Sequence, residues 1–251
     1  TEIAKLIASD GHWGDRFGHA IALQDGTALI GAIGANASPW GPGPGVVYVF
    51  TRDGAGEWAE QTKLLPSDGV EDGLFGCSIV LDGNIALIGA ENEDANETGS
   101  GSAYVFKRDA AGEWAEQARL VASDGATWDG FGRSVELHGS TALIGAGGDD
   151  DNGQASGSVY VFGRDGAGQW TQREKFVAAD GSSGDVFGAS IAVIDKIAVV
   201  GAYGNDDNGS MSGAAYVFTQ DYSANWTEQA KLLAADGDDV DLFGQIGRAV
   251  Q

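Results

Sequence analysis

Residues 75–121 read FGCSIVLDGNIALIGAENEDANETGSGSAYVFKRDAAGEWAEQARLV, and this stretch contains the unit from which the chain is built. Four short runs rich in apolar residues, here called A to D, occupy 75–81, 84–90, 103–107 and 114–121. The pair Asp82-Gly83 between runs A and B is a strong signal for a two-residue hairpin loop. The runs are too short for ordinary helices, and their apolar residues alternate with a period of two. Each run is therefore predicted to be a β-strand.

The same four runs recur in register along the chain. Phe-Gly pairs begin at Phe17, Phe75, Phe131, Phe187 and Phe243, at intervals of 58, 56, 56 and 56 residues. Gly-Ala, Tyr-Val-Phe and Trp signals follow the same spacing. Four strands in each unit at a constant period predict an all-β fold, a β-propeller of four-stranded antiparallel blades. A β-sandwich is the alternative, but it would not require so strict a period.

The repeats give one propeller domain over 1–251, with complete units at about 17–64, 75–120, 131–176 and 187–232. Two orphan strands are predicted outside these units, a run D at 2–7 and a run A at 243–250, which could join into an unfinished fifth blade or belong to different blades. Three interpretations follow. The chain could be part of a larger ring, which we favour, it could close as five units, or two chains could complete each other through their open strand edges.

The residues of the repeat resemble a known family. Phe-Gly-x-Ser-Ile/Val, Ala-Leu-Ile-Gly-Ala, Gly-Ser-x-Tyr-Val-Phe and Trp-x-x-Gln-x-Lys-Leu are similar to the bacterial FG-GAP repeat, which is related to the β-propeller of integrin α subunits. The resemblance implies radially arranged blades and a binding role at the cell surface or outside the cell, as in adhesion. It does not carry over the calcium loop of integrin-type repeats, because the A–B connections here are tight turns, too short for the 6–8 oxygen ligands that calcium prefers.

The charge of the chain excludes some partners. It carries 14 Lys and Arg against 37 Asp and Glu, a net charge of −23. Such a field repels phosphate backbones, so nucleic-acid binding is not expected. No apolar run approaches the ~20 residues that cross a bilayer, so membrane insertion is not expected either. The acidity suits a cationic ligand, metal ions or a high-salt habitat, and it also serves plain solubility.

The acidic residues are predicted to gather on one side of the propeller. Successive strands of a blade alternate in direction, so B–C and D–A loops emerge on one face and A–B and C–D loops on the other. The B–C and D–A loops hold more than half of the 37 acidic residues, whereas Arg16 is their only Lys or Arg. We call the surface formed by the B–C and D–A loops the loop face, and expect it to attract cations.

Two B–C loops are candidate calcium sites. Carboxylate and amide oxygens are hard ligands suited to calcium, although Asp, Asn and Gly are also standard turn residues. The candidate ligands are Asp149, Asp150, Asp151, Asn152, Asp206, Asp207 and Asn208. The Asp that recurs just before each Phe-Gly, by contrast, is expected to accept backbone N–H bonds.

Three tryptophans break the repeat and all lie in loops of the loop face: Trp13, Trp40 and Trp128. An exposed Trp suits stacking on a sugar or an apolar partner, so these are the candidate ligand-binding residues. The four tryptophans that keep the repeat are expected to pack between blades instead.

No catalytic constellation is evident. His12, His19 and His138 are dispersed, Cys77 stands at a position where other repeats vary, and no nucleophile elbow, P-loop or dinucleotide fingerprint appears. The leading hypothesis is a non-catalytic extracellular or surface module that binds a protein or a glycan on its loop face, with calcium as the candidate cofactor. The alternatives are a structural subunit that self-associates through its unfinished blade, and an enzyme at the channel mouth.

Overall fold

The computed structural model describes residues 3–35 and 43–245, and these residues form an all-β fold of four antiparallel sheets, each of four strands in chain order. The first blade contains β1 (Phe17–Gln24), β2 (Thr27–Ala32), β3 (Val46–Arg52) and β4 (Trp58–Leu64), and the second β5 (Ile79–Asp82), β6 (Ile85–Ala90), β7 (Ser102–Arg108) and β8 (Trp114–Leu120). The third contains β9 (Phe131–His138), β10 (Thr141–Ala146), β11 (Ser158–Arg164) and β12 (Trp170–Phe176), and the fourth β13 (Ser190–Ile194), β14 (Ile197–Ala202), β15 (Ala214–Gln220) and β16 (Trp226–Leu232).

The blades fan around an axis lined by their A strands. Among the described residues, β1 lies beside β5, β5 beside β9 and β9 beside β13. Three of the four hydrophobic clusters are shared between successive blades, so the core lies between sheets rather than within one. The predicted β-propeller is confirmed. Trp114, Trp170 and Trp226 pack in these shared clusters, as expected, whereas Trp58 packs against the fourth cluster, whose buried residues all belong to the first blade and the loop within it.

Each A–B hairpin turns in two residues. In the second blade Asp82 pairs with Ile85, so the loop consists of Gly83 and Asn84. This corrects the expected turn by one residue, since Asp82 is the last residue of β5. A positive φ at the first loop position, +60° at Gly83, gives the backbone twist that such hairpins need.

The Phe-Gly and Gly-Ala signals have a steric reason. Phe131 is fully buried and meets the ring of Tyr160 edge-on, with centroids 5.3 Å apart. Gly132 follows at φ +96°, and its carbonyl lies so close to Gly89 of the preceding blade that a Cβ on Gly89 would collide with it. Glycine at both positions therefore lets neighbouring blades approach at the axis.

The two ends of the blade series differ from its interior. Val199 on β14 is 37% exposed, whereas Leu143 at the equivalent position of β10 is 1% exposed beneath the fourth blade. Residues 3–7, part of the predicted orphan strand 2–7, adopt no strand. Most of the other predicted orphan strand, 243–250, lies outside the described residues, but Phe243 bridges Gly213 as Phe187 bridges Gly157.

Candidate functional site

The B–C and D–A loops meet on one face, as predicted. Gly148 of a B–C loop donates its N–H to the carbonyl of Asp129 in the preceding D–A loop at 2.9 Å, and Phe131 N donates to Ser100 O at 2.9 Å. On the opposite face the A–B and C–D loops meet, where Arg108 N donates to Asn84 O at 2.8 Å.

In four of the five D–A loops, the Asp two residues before Phe-Gly closes its own loop, and only the second repeat has Gly73 there instead. Asp129 Oδ2 accepts the backbone N–H of Ala126 at 2.7 Å, and Asp185 Oδ2 accepts that of Ser182 at 3.0 Å. Burial raises the pKa of both carboxyls. This agrees with the expected structural role.

Basic side chains from the D strands reach up into the loop face. Lys175 on β12 pairs with Asp124 at 2.9 Å and with Asp149 and Asp151 at 2.8 Å each, and its ammonium lies 5.1 Å from the ring centroid of Tyr160. Burial alone would lower the pKa of Lys175, but the hydrogen bonds to these three carboxylates outweigh it and raise the pKa. Equivalent cations serve the other blades: Lys63, Arg119 and Lys231.

These cations correct the expectation that the loop face is almost free of positive charge. That expectation counted only residues within the loops. The structure shows that strand residues neutralise part of the face from below. The face remains acidic, but its acidic residues are not all available to a ligand.

The candidate calcium ligands already have partners within the fold, either D-strand lysines or backbone groups of the B–C and D–A loops. Asp149 and Asp151 bind Lys175, and Asp207 binds Lys231 at 2.6 Å. The remaining contacts are made with backbone groups: Asp150 with Ala155 N, Asp206 with Met211 N, Asn152 with Ala178 O and Asn208 with Ala234 O. In the described part of the chain, no three His, Cys, Asp or Glu side chains gather in a group that could hold a metal ion.

The three candidate tryptophans lie in different settings. Trp13 is fully exposed. Trp40 lies outside the described residues. Trp128 is 62% exposed, and its ring lies over Gly99, where a side chain would collide with it. Of these, Trp128 lines a formed cleft.

The cleft beside Trp128 has a volume of about 350 Å³ and lies on the loop face, where the second, third and fourth blades meet. Its polar groups are Glu91, Asn92 and Arg133, and Tyr203 adds a second aromatic ring. Arg133 Nη1 pairs with Glu91 Oε2 at 3.1 Å, and its guanidinium lies 5.9 Å from the ring centroid of Tyr203. The cleft thus combines an exposed aromatic face with a fixed pair of opposite charges.

A glycine makes room for this arrangement. Glu91, Gly147 and Tyr203 occupy the same position in three successive repeats. A Cβ on Gly147 would lie 2.7 Å from Val186 Cγ1 and 3.2 Å from Arg133 Cδ. The absence of a side chain at 147 therefore lets Arg133 reach between the glutamate and the tyrosine.

The polar and aromatic residues of the cleft break the repeat. Trp128 stands where other repeats have Gly14, Asp72, Gly184 and Val240, Arg133 where they have His19, Cys77, Ala189 and Gln245, and Asn92 where they have Gly34, Gly148 and Gly204. Residues that build the repeated scaffold should recur with the scaffold. Five that do not recur, Glu91, Asn92, Trp128, Arg133 and Tyr203, meet in one cleft.

Trp128 also adopts a strained backbone. Its φ is +67°, a left-handed conformation that costs a bulky residue of order 1 kcal/mol or more. The other four repeats also have a positive φ at this position: Gly14 and Gly184 adopt it without that cost, whereas Asp72 and Val240 share the strain. The left-handed backbone therefore belongs to the repeated loop, and the exposed aromatic ring is what distinguishes Trp128 at this position.

The sequence pattern identified Trp128 but missed Glu91, Asn92, Arg133 and Tyr203. A signal for them was present, since each departs from its counterparts in the other repeats. That these residues lie in one cleft could not be predicted from the sequence, because it depends on how three blades are arranged about the axis.

Comparison with known families gives the chain its class. A family model described as FG-GAP repeat matches residues 1–50, 58–106, 114–162 and 170–218. The chain is a β-propeller repeat protein and belongs to the FG-GAP repeat family, a class that is generally non-catalytic. No curated protein matches the chain. None of the described residues forms a helix that could cross a bilayer.

Proposed function

We propose that this propeller is a non-catalytic binding module whose ligand, a protein or a glycan, docks on the loop face at the cleft around Trp128. One observation carries the proposal: five residues that break an otherwise regular repeat converge there, around the exposed ring of Trp128. Concave sites with an aromatic lining and a few fixed polar groups are the usual form of a binding site. The proposed setting is extracellular or at the cell surface, where such recognition serves adhesion.

The absence of catalysis belongs to the same proposal. Burial raises the pKa of Cys77 to about 12, so its thiolate is scarce at neutral pH, and the Sγ lies 3.5 Å from Gly132 O. Among the described residues of the loop face, Asp149 and Asp151 are held by Lys175, and Asp129, Asp150 and Asp185 by backbone N–H groups. Neither arrangement leaves a poised nucleophile or general base.

The test compares two exposed tryptophans. Wild type, Trp128→Ala and Trp13→Ala are screened against a glycan array and a displayed random-peptide library. We expect Trp128→Ala to bind the selected ligand with an affinity at least tenfold lower than wild type, and Trp13→Ala to bind it with unchanged affinity. Equal binding by wild type and Trp128→Ala would contradict the proposed site.

Calcium assistance is a separate part of the proposal. A calcium ion at Asp149 and Asp151 would have to displace the ammonium of Lys175, and one at Asp207 that of Lys231. The same binding measurement in calcium and in excess EDTA decides it. Identical affinities would remove calcium from the mechanism and leave the cleft unaffected.

One observation favours a second role, self-association through the fourth blade. Ile197, Val199 and Leu232 are exposed at positions whose counterparts in the second and third blades are covered more fully by the next blade. A second copy is the proposed occupant, because the first blade presents an exposed Leu23 at a position that is buried in the other blades. Sedimentation velocity should show a concentration-dependent mass in wild type and a monomer in Val199→Asp. A monomer at all concentrations in wild type would exclude it.

A further inference from the structure

The charges inside the Trp128 cleft cancel. Glu91 and Arg133 are the only acidic and basic side chains among its lining residues in the described part of the chain, and they pair with each other. Tyr203 holds the guanidinium from a second side. A cationic side chain from a peptide would meet Arg133 and find Glu91 already neutralised. The cleft therefore favours an uncharged ligand.

The surroundings of the cleft disfavour an anion. Asp150 Oδ1 accepts the N–H of the lining residue Ala155 at 2.7 Å, and Asp94 Oδ1 accepts that of Gly99 at 2.9 Å. Two carboxylates thus stand directly behind the wall of the cleft, in a chain with a net charge of −23. A carboxylate or sulfate on the ligand would be repelled.

The polar groups suit hydroxyls. A hydroxyl both donates and accepts a hydrogen bond, and Arg offers several N–H donors in a fixed plane while a carboxylate only accepts. Because Arg133 and Glu91 hold each other in place, they present a donor and an acceptor side by side. Two neighbouring hydroxyls of one ligand can bind such a pair together.

The aromatic face suits a pyranose ring. The π-face of Trp128 carries negative charge from the ring quadrupole and attracts the weakly positive C–H groups of a sugar face. The ring of Trp128 already lies against Gly99, so less ordering of the indole is needed on binding. A volume of about 350 Å³ lies near the small end of ligand clefts, about 300–1,000 Å³, and fits a short glycan unit.

We propose that this cleft binds an uncharged pyranose unit of a glycan, stacked on Trp128 and hydrogen-bonded to the Glu91–Arg133 pair. This inference rests on the proposed binding function and narrows its ligand class. It excludes uronic acids and sulfated sugars as the unit bound in the cleft.

The experiment uses a panel of methyl pyranosides, of glucose, galactose, mannose and N-acetylglucosamine, with methyl glucuronide as the charged counterpart. Saturation-transfer NMR and tryptophan fluorescence report binding to wild type, Trp128→Ala and Trp13→Ala. For a ligand of this size a dissociation constant on the order of 1 mM is expected for at least one neutral glycoside. Trp128→Ala should raise this dissociation constant at least tenfold, and Trp13→Ala should leave it unchanged.

The charged sugar supplies an independent readout. Methyl glucuronide should bind more weakly than methyl glucoside. Added salt should reduce this difference in affinity, because it screens the repulsion between the glucuronide carboxylate and the acidic loop face. Arg133→Gln with Glu91→Gln, which keeps the polar atoms and removes both charges, should retain measurable binding of the neutral sugar.

The outcomes separate the two proposals. If no neutral glycoside binds at tens of millimolar while a displayed peptide binds in a Trp128-dependent manner, the glycan inference is wrong and the binding site stands. If glycoside binding is lost in Trp13→Ala rather than in Trp128→Ala, both the inference and the site are wrong. If neither glycosides nor peptides bind wild type, the binding function itself fails.

Discussion

Glu93 Oε1 accepts the backbone N–H of Val70 at 3.0 Å, and it thereby replaces an aspartate that the second repeat lacks. In other D–A loops this N–H is bound by the Asp two residues before Phe-Gly, but here that position is Gly73. Glu93 reaches the same place from the B–C loop, and its Oε1 would lie 2.8 Å from a Cβ on Gly73. The two positions are thus alternatives for one carboxylate.

The first prediction follows from this exchange. Glu93 is fully buried and also pairs with Arg119 at 3.0 Å, so Glu93→Ala should destabilise the fold by about 2–4 kcal/mol. Gly73→Asp alone should also destabilise, because the two carboxylates would compete for one site. The double variant should recover a large part of the loss, and urea unfolding measures all three. Simple additivity of the two losses would show that the carboxylates are not interchangeable.

The second prediction concerns the ammonium of Lys175, which holds three carboxylates together. Lys175→Ala should destabilise the fold by about 3 kcal/mol in EDTA, because it leaves Asp124, Asp149 and Asp151 facing one another. Calcium should then restore part of the melting temperature and should shift wild type less. Lys107→Ala, at an exposed position of β7, is the control and should be nearly neutral. An equal calcium shift in wild type and Lys175→Ala would place any calcium site elsewhere.

The clusters around Lys175 and its counterparts also show which features of the fold could be predicted from the sequence and which could not. The period of two and the recurring glycines were enough to predict the strands, the blades and the separation of the B–C and D–A loops from the A–B and C–D loops, because these features depend on local patterns. The partner of Lys175 was not predictable in that way. Asp180 lies five residues from it in sequence, yet Lys175 binds Asp124, 51 residues away. A cation on strand D lies beside the loop that precedes its own blade, and only the folded blade brings the two together.

The cleft was hidden for a related reason. Trp128 is recognisable in the sequence as a tryptophan outside the repeat pattern. Glu91 and Tyr203 occupy the same position in different repeats, and the sequence does not indicate that they lie in one cleft. Both line the cleft, where Arg133 lies beside Gly147, the third member of that set, and interacts with each of them. A site built from departures at equivalent positions is visible in the sequence only when the repeats are superposed around their axis.

The third prediction concerns pH and the buried carboxyl of Asp129. Burial raises its pKa in the folded state above the ordinary value of 3.8, so the folded protein binds this proton more readily than the unfolded chain does. Ionisation of Asp129 therefore costs stability at neutral pH, and the cost disappears as the pH falls through the folded pKa. Measured by urea unfolding, wild type should gain stability relative to Asp129→Asn between pH 7 and pH 4. A constant difference across that range would show that the carboxyl titrates alike in both states.

The fourth prediction separates the strain at Trp128 from its role in the cleft. With φ at +67°, this position penalises any Cβ, so Trp128→Gly should be more stable than Trp128→Ala by about 1 kcal/mol. Both variants remove the aromatic platform, and both should lose ligand binding to the same extent. Gly184→Ala, at the equivalent position with φ +88°, is the matched control and should cost a similar amount without affecting binding. Urea unfolding measures the stability of the three variants, and the glycoside titration measures their binding. If Trp128→Ala were as stable as Trp128→Gly, the backbone would not be strained there. If Trp128→Gly still bound ligand, the indole would contribute to the scaffold rather than to recognition.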